Sequence, residues 1–82
     1  MQREEIAQKV RLILIEKIGL KPTEVTPDAN LTRDLGVDSL DYAELVMEFE
    51  NAFQVRIPDT EAGKLNTFKE VVDYLLASVN TP

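Results

Sequence analysis

The chain lacks the residues on which most catalytic and metal sites depend. Its 82 residues include no cysteine, no histidine and no tryptophan. Disulfides, thiolate nucleophiles, Cys/His zinc sites and histidine general bases are therefore excluded, and we expect no metal site. The longest apolar runs, residues 12–15 and 74–77, have four residues each. Runs of this length are too short for a membrane span or a signal-peptide core.

Basic residues are also scarce. The chain has nine Lys and Arg residues and fifteen Asp and Glu residues, which gives a formal net charge of -6. This balance argues against binding to the phosphate backbone of nucleic acids and favours a basic partner. The length predicts a single domain over residues 1–82, with a flexible tail from about residue 79. We expect a monomer that binds neither nucleic acid nor membrane.

Apolar residues recur with helical spacing in three segments. The first segment ends at Gly19, the second covers residues 38–53, and the third begins at a Thr67/Glu70 capping box. One short helical turn is predicted for residues 59–65. The loop between residues 20 and 37 is long, and we expect Leu31 and Leu35 to anchor it. No segment alternates as a strand does. The sequence therefore predicts an all-α fold: a small four-helix bundle of three main helices and one short one, with a long first loop.

The middle helix carries two apolar faces. The larger face suits the core and comprises Tyr42, Leu45, Val46, Phe49 and Phe53. The smaller face, formed by Leu40, Ala43 and Met47, is left partly exposed. Glu44 and Glu48 border it on one side and Glu50 on the other. This surface is either an ordinary solvated helix face or a docking site whose acidic rim attracts basic partners.

Ser39 stands at the start of this helix. Asp38 is a good N-cap residue, so Ser39 becomes the first helical residue, and Gly36 allows a tight turn into it. The N-terminus of a helix is a favourable place for a phosphate. Without a histidine, Ser39 has no obvious base to activate it as a nucleophile. It is either a simple first-turn residue or a substrate that another enzyme modifies.

Residues 35–47, with the sequence LGVDSLDYAELVM, resemble the attachment segment of acyl carrier proteins. The similarity extends over nearly the whole chain, because residues 5–19, 53–59 and 67–76 resemble the other helices and links of that family. The resemblance implies that Ser39, flanked by Asp38 and Leu40, carries 4'-phosphopantetheine. A phosphopantetheinyl transferase would add this arm from coenzyme A.

The resemblance also implies the partners and the path of the cargo. Acyl groups would be carried as thioesters, and acyl synthases and transferases would dock through basic patches. The implied partner surface comprises Asp38, Leu40, Asp41, Ala43, Glu44, Met47 and Glu48. The implied acyl cavity is lined by Tyr42, Leu45, Val46, Phe49, Leu65 and Phe68. The chain would be a substrate of partner enzymes, with no catalytic residue of its own.

Three positions depart from the family pattern. Tyr42 stands where a smaller residue is more usual, and we expect its ring to line or narrow the mouth of the acyl cavity. Ala43 replaces a larger aliphatic residue, which reduces the exposed patch. Gly63 is a poor helix former in the short helical segment, so that segment is expected to be mobile.

Alternatives remain within and outside this family. A fatty-acid-type pathway in a bacterial cytoplasm is the first expectation, and a polyketide or other specialised pathway is the second. An acidic helical adaptor without a prosthetic group is the third.

A calcium loop, suggested by the alternating Asp28, Asn30, Thr32 and Asp34, is rejected. Arg33 and Ser39 occupy the positions that an EF-hand reserves for glycine and glutamate.

Overall fold

Four α-helices form the molecule in a computed structural model that describes residues 2–80. Helix α1 spans Arg3–Ile18, α2 Ser39–Phe53, α3 Asp59–Ala62 and α4 Phe68–Val79. One 3₁₀ turn, Pro22–Glu24, lies in the long first loop. The principal dimensions are 34 × 25 × 19 Å. The predicted all-α bundle of three main helices and one short one is confirmed.

Local sequence signals set the ends of the main helices. Gly19 terminates α1 in the left-handed conformation (φ 79°), and its N–H donates to the Ile15 carbonyl at 2.9 Å. The predicted capping box opens α4: Glu70 N–H donates to Thr67 Oγ1 at 3.2 Å, and Thr67 N–H donates to Glu70 Oε1 at 2.9 Å. At the far end of α4, Val79 is the last helical residue. Of the predicted tail, Thr81 and Pro82 lie outside the described residues.

Helix α3 is shorter than the segment predicted for it. The helical turn ends at Ala62 and does not extend to residue 65, because Gly63 caps it and residues 63–64 form a turn. Gly63 N–H donates to the Asp59 carbonyl at 3.1 Å. The four-residue helix therefore reverses the chain quickly and brings Leu65 back toward α2.

The long first loop is ordered by backbone bonds to the start of α4. Leu31 N–H donates to the Asn66 carbonyl at 2.8 Å, and Phe68 N–H donates to the Ala29 carbonyl at 3.1 Å. Asn30 and Thr67 form an isolated antiparallel bridge, and residues 2–80 contain no longer strand. Leu31 and Leu35 are buried, which confirms them as anchors of this loop.

The core is entirely apolar and mainly aliphatic. Helix α1 packs against both α2 and α4. The central, fully buried side chains include Ile6, Val10, Leu14, Leu45, Phe49 and Leu75. No polar residue among those described is buried. None of the helices formed by residues 2–80 combines the length and the apolar character that a bilayer-spanning segment needs.

Candidate functional site at the start of helix α2

Ser39 is the first residue of α2, and its side chain is exposed to solvent. The chain reaches it through Gly36, which has a positive φ of 70°, and through the buried Val37. Val37 N–H donates to the Leu31 carbonyl at 2.9 Å. The loop is thus fixed to the core two residues before Ser39, which holds the serine at a defined position on the surface.

Asp38 caps the helix as predicted. Its Oδ1 accepts a hydrogen bond from Asp41 N–H at 2.8 Å, and its carbonyl accepts from Tyr42 N–H at 2.8 Å. Among the described residues, none accepts a hydrogen bond from the N–H of Ser39 or Leu40. Two free donors therefore remain at the positive end of the helix dipole, beside the Ser39 hydroxyl.

The loop before the site is held by Asp34. Its carboxylate accepts from Asn30 N–H at 2.8 Å and from Arg33 Nε at 3.3 Å. The Asn30 amide, and to a smaller extent Arg33, lower the pKa of the Asp34 carboxyl. Asp34 therefore stays charged and closes the turn that precedes Gly36. Residues 2–80 contain no cluster of three or more acidic side chains arranged to hold a metal ion.

Two clefts meet at Ser39. The outer cleft, about 700 Å³, runs between α2 and α3, and Val46, Met47, Ile57 and Pro58 line it. The inner cleft, about 270 Å³, lies toward the first loop and is lined by Leu31, Thr32, Leu65 and Asn66. Both clefts share Ser39, Tyr42, Ala62 and Gly63. A group attached to Ser39 therefore has two clefts within reach, each lined in part by apolar side chains.

Tyr42 lies one turn after Ser39 and stands between the two clefts. Its hydroxyl hydrogen-bonds to the carbonyl of Ala62 and to that of Leu65, the latter at 3.0 Å. The side chain is half-buried. Burial raises the pKa of the Tyr42 hydroxyl, and the Glu70 carboxylate adds a smaller upward effect. The ring of Tyr42 lines both clefts. Its place at the mouth of an acyl cavity remains a prediction.

The raised pKa of Tyr42 predicts a pH-dependent loss of stability. A folded-state pKa above the ordinary value of 10.0 gives a contribution that is complete below pH 10 and is lost as the pH rises through the folded pKa. At pH 7 we expect Tyr42→Phe to cost about 1 kcal/mol, the net worth of a hydrogen bond. The difference from wild type should shrink in alkaline solution, as measured by urea unfolding at neutral and alkaline pH. A difference that stays constant with pH would contradict this.

The smaller face of α2 is exposed. Leu40 is 73% exposed and Met47 62%, and Ala43 and Glu44 are also exposed. Two acids of its rim have partners: Glu48 pairs with Lys17 at 3.5 Å, and Glu50 Oε2 accepts from Ile57 N–H at 2.8 Å. Glu50 therefore holds the link before α3 and is not a free rim charge.

The six side chains of the implied acyl cavity lie in three places. Tyr42 lines both clefts, Val46 lines the outer one and Leu65 the inner one. Leu45 and Phe49 are buried in the core and line neither cleft. Phe68 is also buried, and Arg11 stacks on its ring with its guanidinium carbon 5.2 Å from the centroid.

Sequence reasoning missed the far wall of both clefts. Ile57, Pro58, Ala62 and Gly63 line the outer cleft, and Leu31 lines the inner one. Pro58 and the short apolar segment around it are visible in the sequence. Their place opposite α2 depends on the bond between Glu50 and Ile57, which no local pattern indicates.

Comparison with known proteins identifies the family. The model of the phosphopantetheine attachment site matches residues 8–75. An acyl carrier protein of Rubrobacter xylanophilus is 50% identical over 76 residues, which cover 93% of this chain and 94% of the relative. The chain belongs to the acyl carrier protein family. Proteins of this family carry covalently attached 4'-phosphopantetheine.

The start of α2 fits that group. An acyl carrier protein needs an exposed hydroxyl for the ester and donors for the phosphate. Ser39 supplies the hydroxyl, and the N–H groups of Ser39 and Leu40 are free. The outer cleft, which begins beside Ser39, has a volume within the roughly 300–1,000 Å³ range of ligand sites. The arm and a short cargo can therefore rest against apolar side chains.

Proposed function

We propose that Ser39 carries the 4'-phosphopantetheine arm and that the chain delivers acyl groups to enzymes of fatty-acid-type biosynthesis. The observation that carries this proposal is the exposed Ser39 hydroxyl at a helix N-terminus from which two clefts open. The arm supplies a thiol for thioesters, which a chain without cysteine cannot provide itself. The chain acts as a carrier, and its partner enzymes supply the bases and metals.

The protein's own residues have three tasks in this mechanism. Asp38 caps α2 and so holds the backbone of Ser39 in the first turn of the helix. The N–H groups of Ser39 and Leu40, with the helix dipole, favour the negative charge of a phosphodiester. Val46 and Ile57, in the outer cleft, offer apolar surface that lowers the exposure of an acyl chain to water.

Loading of the purified protein tests this proposal. The protein is incubated with coenzyme A, Mg²⁺ and a broad-specificity phosphopantetheinyl transferase, and its intact mass is then measured. We expect a mass increase of one phosphopantetheine group. An unchanged mass would overturn the proposal and favour an acidic helical adaptor, which uses the same surface without a prosthetic group.

A specialised pathway, such as polyketide synthesis, is the second candidate. The contacts of Tyr42 favour it, because a ring tied across the cavity entrance narrows the range of chains that fit. Isolation of the protein from its own cells, followed by mass measurement of the bound acyl group, separates the two pathways. A simple saturated chain supports fatty-acid synthesis, and a functionalised chain supports the alternative.

The exposed face of α2 is the proposed docking surface for partners. It consists of Asp38, Leu40, Asp41, Ala43, Glu44, Met47 and Glu48. Within this group, Glu44 is exposed and its carboxylate has no hydrogen bond or ion pair with the other described residues. The Glu48 carboxylate pairs with Lys17, so a partner must compete with Lys17 for it. A basic enzyme would therefore find an exposed, unpaired charge at Glu44.

Binding of the transferase should depend on Glu44 and on salt. We expect Glu44→Gln to weaken binding by up to about fivefold, because an exposed ion pair is worth at most about 1 kcal/mol. Salt at about 1 M should remove most of that difference, since the screening length falls to about 3 Å. Titration calorimetry of wild type and of Glu44→Gln with the transferase, at low and at high salt, measures the difference in affinity.

Glu4→Gln is the matched control for this measurement. It removes the same charge from the first turn of α1, beside Arg3, which pairs with Asp73 of α4. We expect it to bind like wild type. Equal effects of the two substitutions would mean that net charge, and not the α2 surface, governs the encounter.

A further inference from the structure

Tyr42 connects two parts of the fold that are otherwise separate along the chain. Its hydroxyl lies between the carbonyls of Ala62, at the end of α3, and Leu65, in the link to α4. A tyrosine has a single hydroxyl proton, so the two carbonyls share one donor. The Ala62 carbonyl also accepts from Leu65 N–H at 3.2 Å. This arrangement, here called the Tyr42 tether, holds residues 62–65 against α2.

The tether lies where the two clefts join. Tyr42, Ala62 and Gly63 belong to both linings, while Leu65 belongs only to the inner cleft. The inner cleft, at about 270 Å³, is close to the lower limit of roughly 300 Å³ for ligand sites. Movement of residues 62–65 away from α2 would widen it, and such movement breaks the bonds of the Tyr42 hydroxyl.

The two clefts also differ in size and lining. Beyond the shared residues, the outer cleft continues along Val46, Met47 and Ile57, and the charged residues Glu50, Arg56 and Asp59 also line it. The inner cleft is lined by Leu31 and Leu65 and by polar Thr32 and Asn66. At about 700 Å³ against about 270 Å³, the outer cleft has more room for a hydrocarbon chain, which can lie against its apolar side chains.

The link on the other side of α3 is held independently. Glu50 Oε2 accepts from Ile57 N–H at 2.8 Å, so α2 binds the chain both before and after α3. Loss of the Tyr42 hydroxyl therefore loosens the Ala62–Leu65 end, next to which Leu31 still binds the Asn66 carbonyl, while the Ile57 end stays in place. We expect release of the tether to widen the inner cleft at Ala62 and Leu65 and to leave the Val46 and Ile57 side of the outer cleft in place.

From these observations we propose that Tyr42 determines the path of the acyl chain. Its tether keeps the inner cleft narrow and directs a chain attached through Ser39 into the outer cleft, against Val46 and Ile57. This proposal rests on the proposed function, because it requires that Ser39 carries the arm. Tyr42 is therefore a specificity-determining residue: its side chain restricts where the acyl chain can lie, and it takes no part in a reaction.

An octanoyl group loaded on the arm tests the path directly. Nuclear Overhauser contacts from the chain are recorded in wild type, in Tyr42→Phe and in Tyr74→Phe. In wild type we expect contacts to Val46 and Ile57. Tyr42→Phe keeps the ring and loses the tether, so contacts to Leu31 and Leu65 should be added. Tyr74 lines neither cleft, and its variant should behave like wild type.

The proposal is overturned if the chain contacts Leu31 and Leu65 in wild type, if it contacts neither set, or if Tyr42→Phe leaves the contacts unchanged. Thermal unfolding of each variant verifies that it is folded. The intact mass after loading shows first whether the arm is attached. A wild-type protein that cannot be loaded overturns the proposed function, and the acyl path with it.

Hydrogen exchange of the unloaded protein measures the tether without any arm. The amides of Gly63, Lys64 and Leu65 donate to the carbonyls of Asp59, Glu61 and Ala62, so their exchange reports on the segment that Tyr42 holds. One net hydrogen bond shifts a local opening equilibrium by about two- to tenfold, so Tyr42→Phe should accelerate exchange there by that factor. Amides in the middle of α1, such as that of Val10, serve as the reference. Equal rates in both proteins would show that the tether does not hold this segment, and the proposal would fail.

Discussion

Replacement of Ser39 by alanine is expected to abolish the phosphopantetheine adduct completely. The chain has only two serines, Ser39 and Ser78, so Ser78→Ala is a matched control in which one hydroxyl is also removed. Ser78 lies in the last turn of α4, far along the chain from the free N–H groups of α2. We expect the control to be loaded as fully as wild type, with intact mass as the measurement.

Loss of loading in Ser39→Ala would not come from unfolding. Ser39 is exposed, its hydroxyl has no hydrogen-bond partner among the described residues, and alanine is the best helix former. The Asp38 cap involves Asp41 and is left in place. The variant should therefore unfold at the same temperature as wild type. An adduct on folded Ser39→Ala would mean that another hydroxyl accepts the arm.

We expect Phe49→Ala to lower the free energy of unfolding more than any of the other proposed substitutions. Phe49 is 2% exposed and faces the centre of the core from α2. Truncation of a buried phenylalanine lowers the free energy of unfolding by about 3–5 kcal/mol. The whole stability of a small domain is about 5–15 kcal/mol, so the variant should be marginally folded at best. Urea unfolding followed by circular dichroism measures the loss.

Met47→Ala is the control for that loss. Met47 lies on the same helix, two residues away, and is 62% exposed. Its truncation should change stability by no more than about 0.5 kcal/mol. Similar losses in the two variants would contradict the assignment of one α2 face to the core and the other to solvent. The pair therefore tests the two faces of this helix with a single technique.

The helix ends were predictable because their signals are local. Gly19, Asp38 and Thr67 each act on backbone groups within four residues, so the sequence alone identifies them as caps. The two faces of α2 follow from spacing in the same way. The place of Ser39 at the start of α2 was therefore visible before the fold was known, and its role as attachment site remains a proposal.

The shape of the site was less predictable because it depends on contacts between distant segments. Tyr42 reaches carbonyls 20 and 23 residues away, and Glu50 binds an amide seven residues further along the chain. Such contacts need the packed fold before either partner is in range. For the same reason, the sequence could not separate cleft residues such as Val46 from core residues such as Leu45.

The cap at Asp38 has a consequence for the lifetime of the cargo. Its Oδ1 accepts from Asp41 N–H, and the other carboxylate oxygens close in sequence to Ser39 are Asp38 Oδ2 and those of Asp41. With no histidine or cysteine in the chain, the bases beside Ser39 are carboxylates, which activate a water molecule less readily than an imidazole does at neutral pH. Spontaneous hydrolysis of a bound thioester would then proceed at the rate set by solvent. The protein would then hold the acyl group without promoting its hydrolysis, and the partner enzymes would determine when it is released.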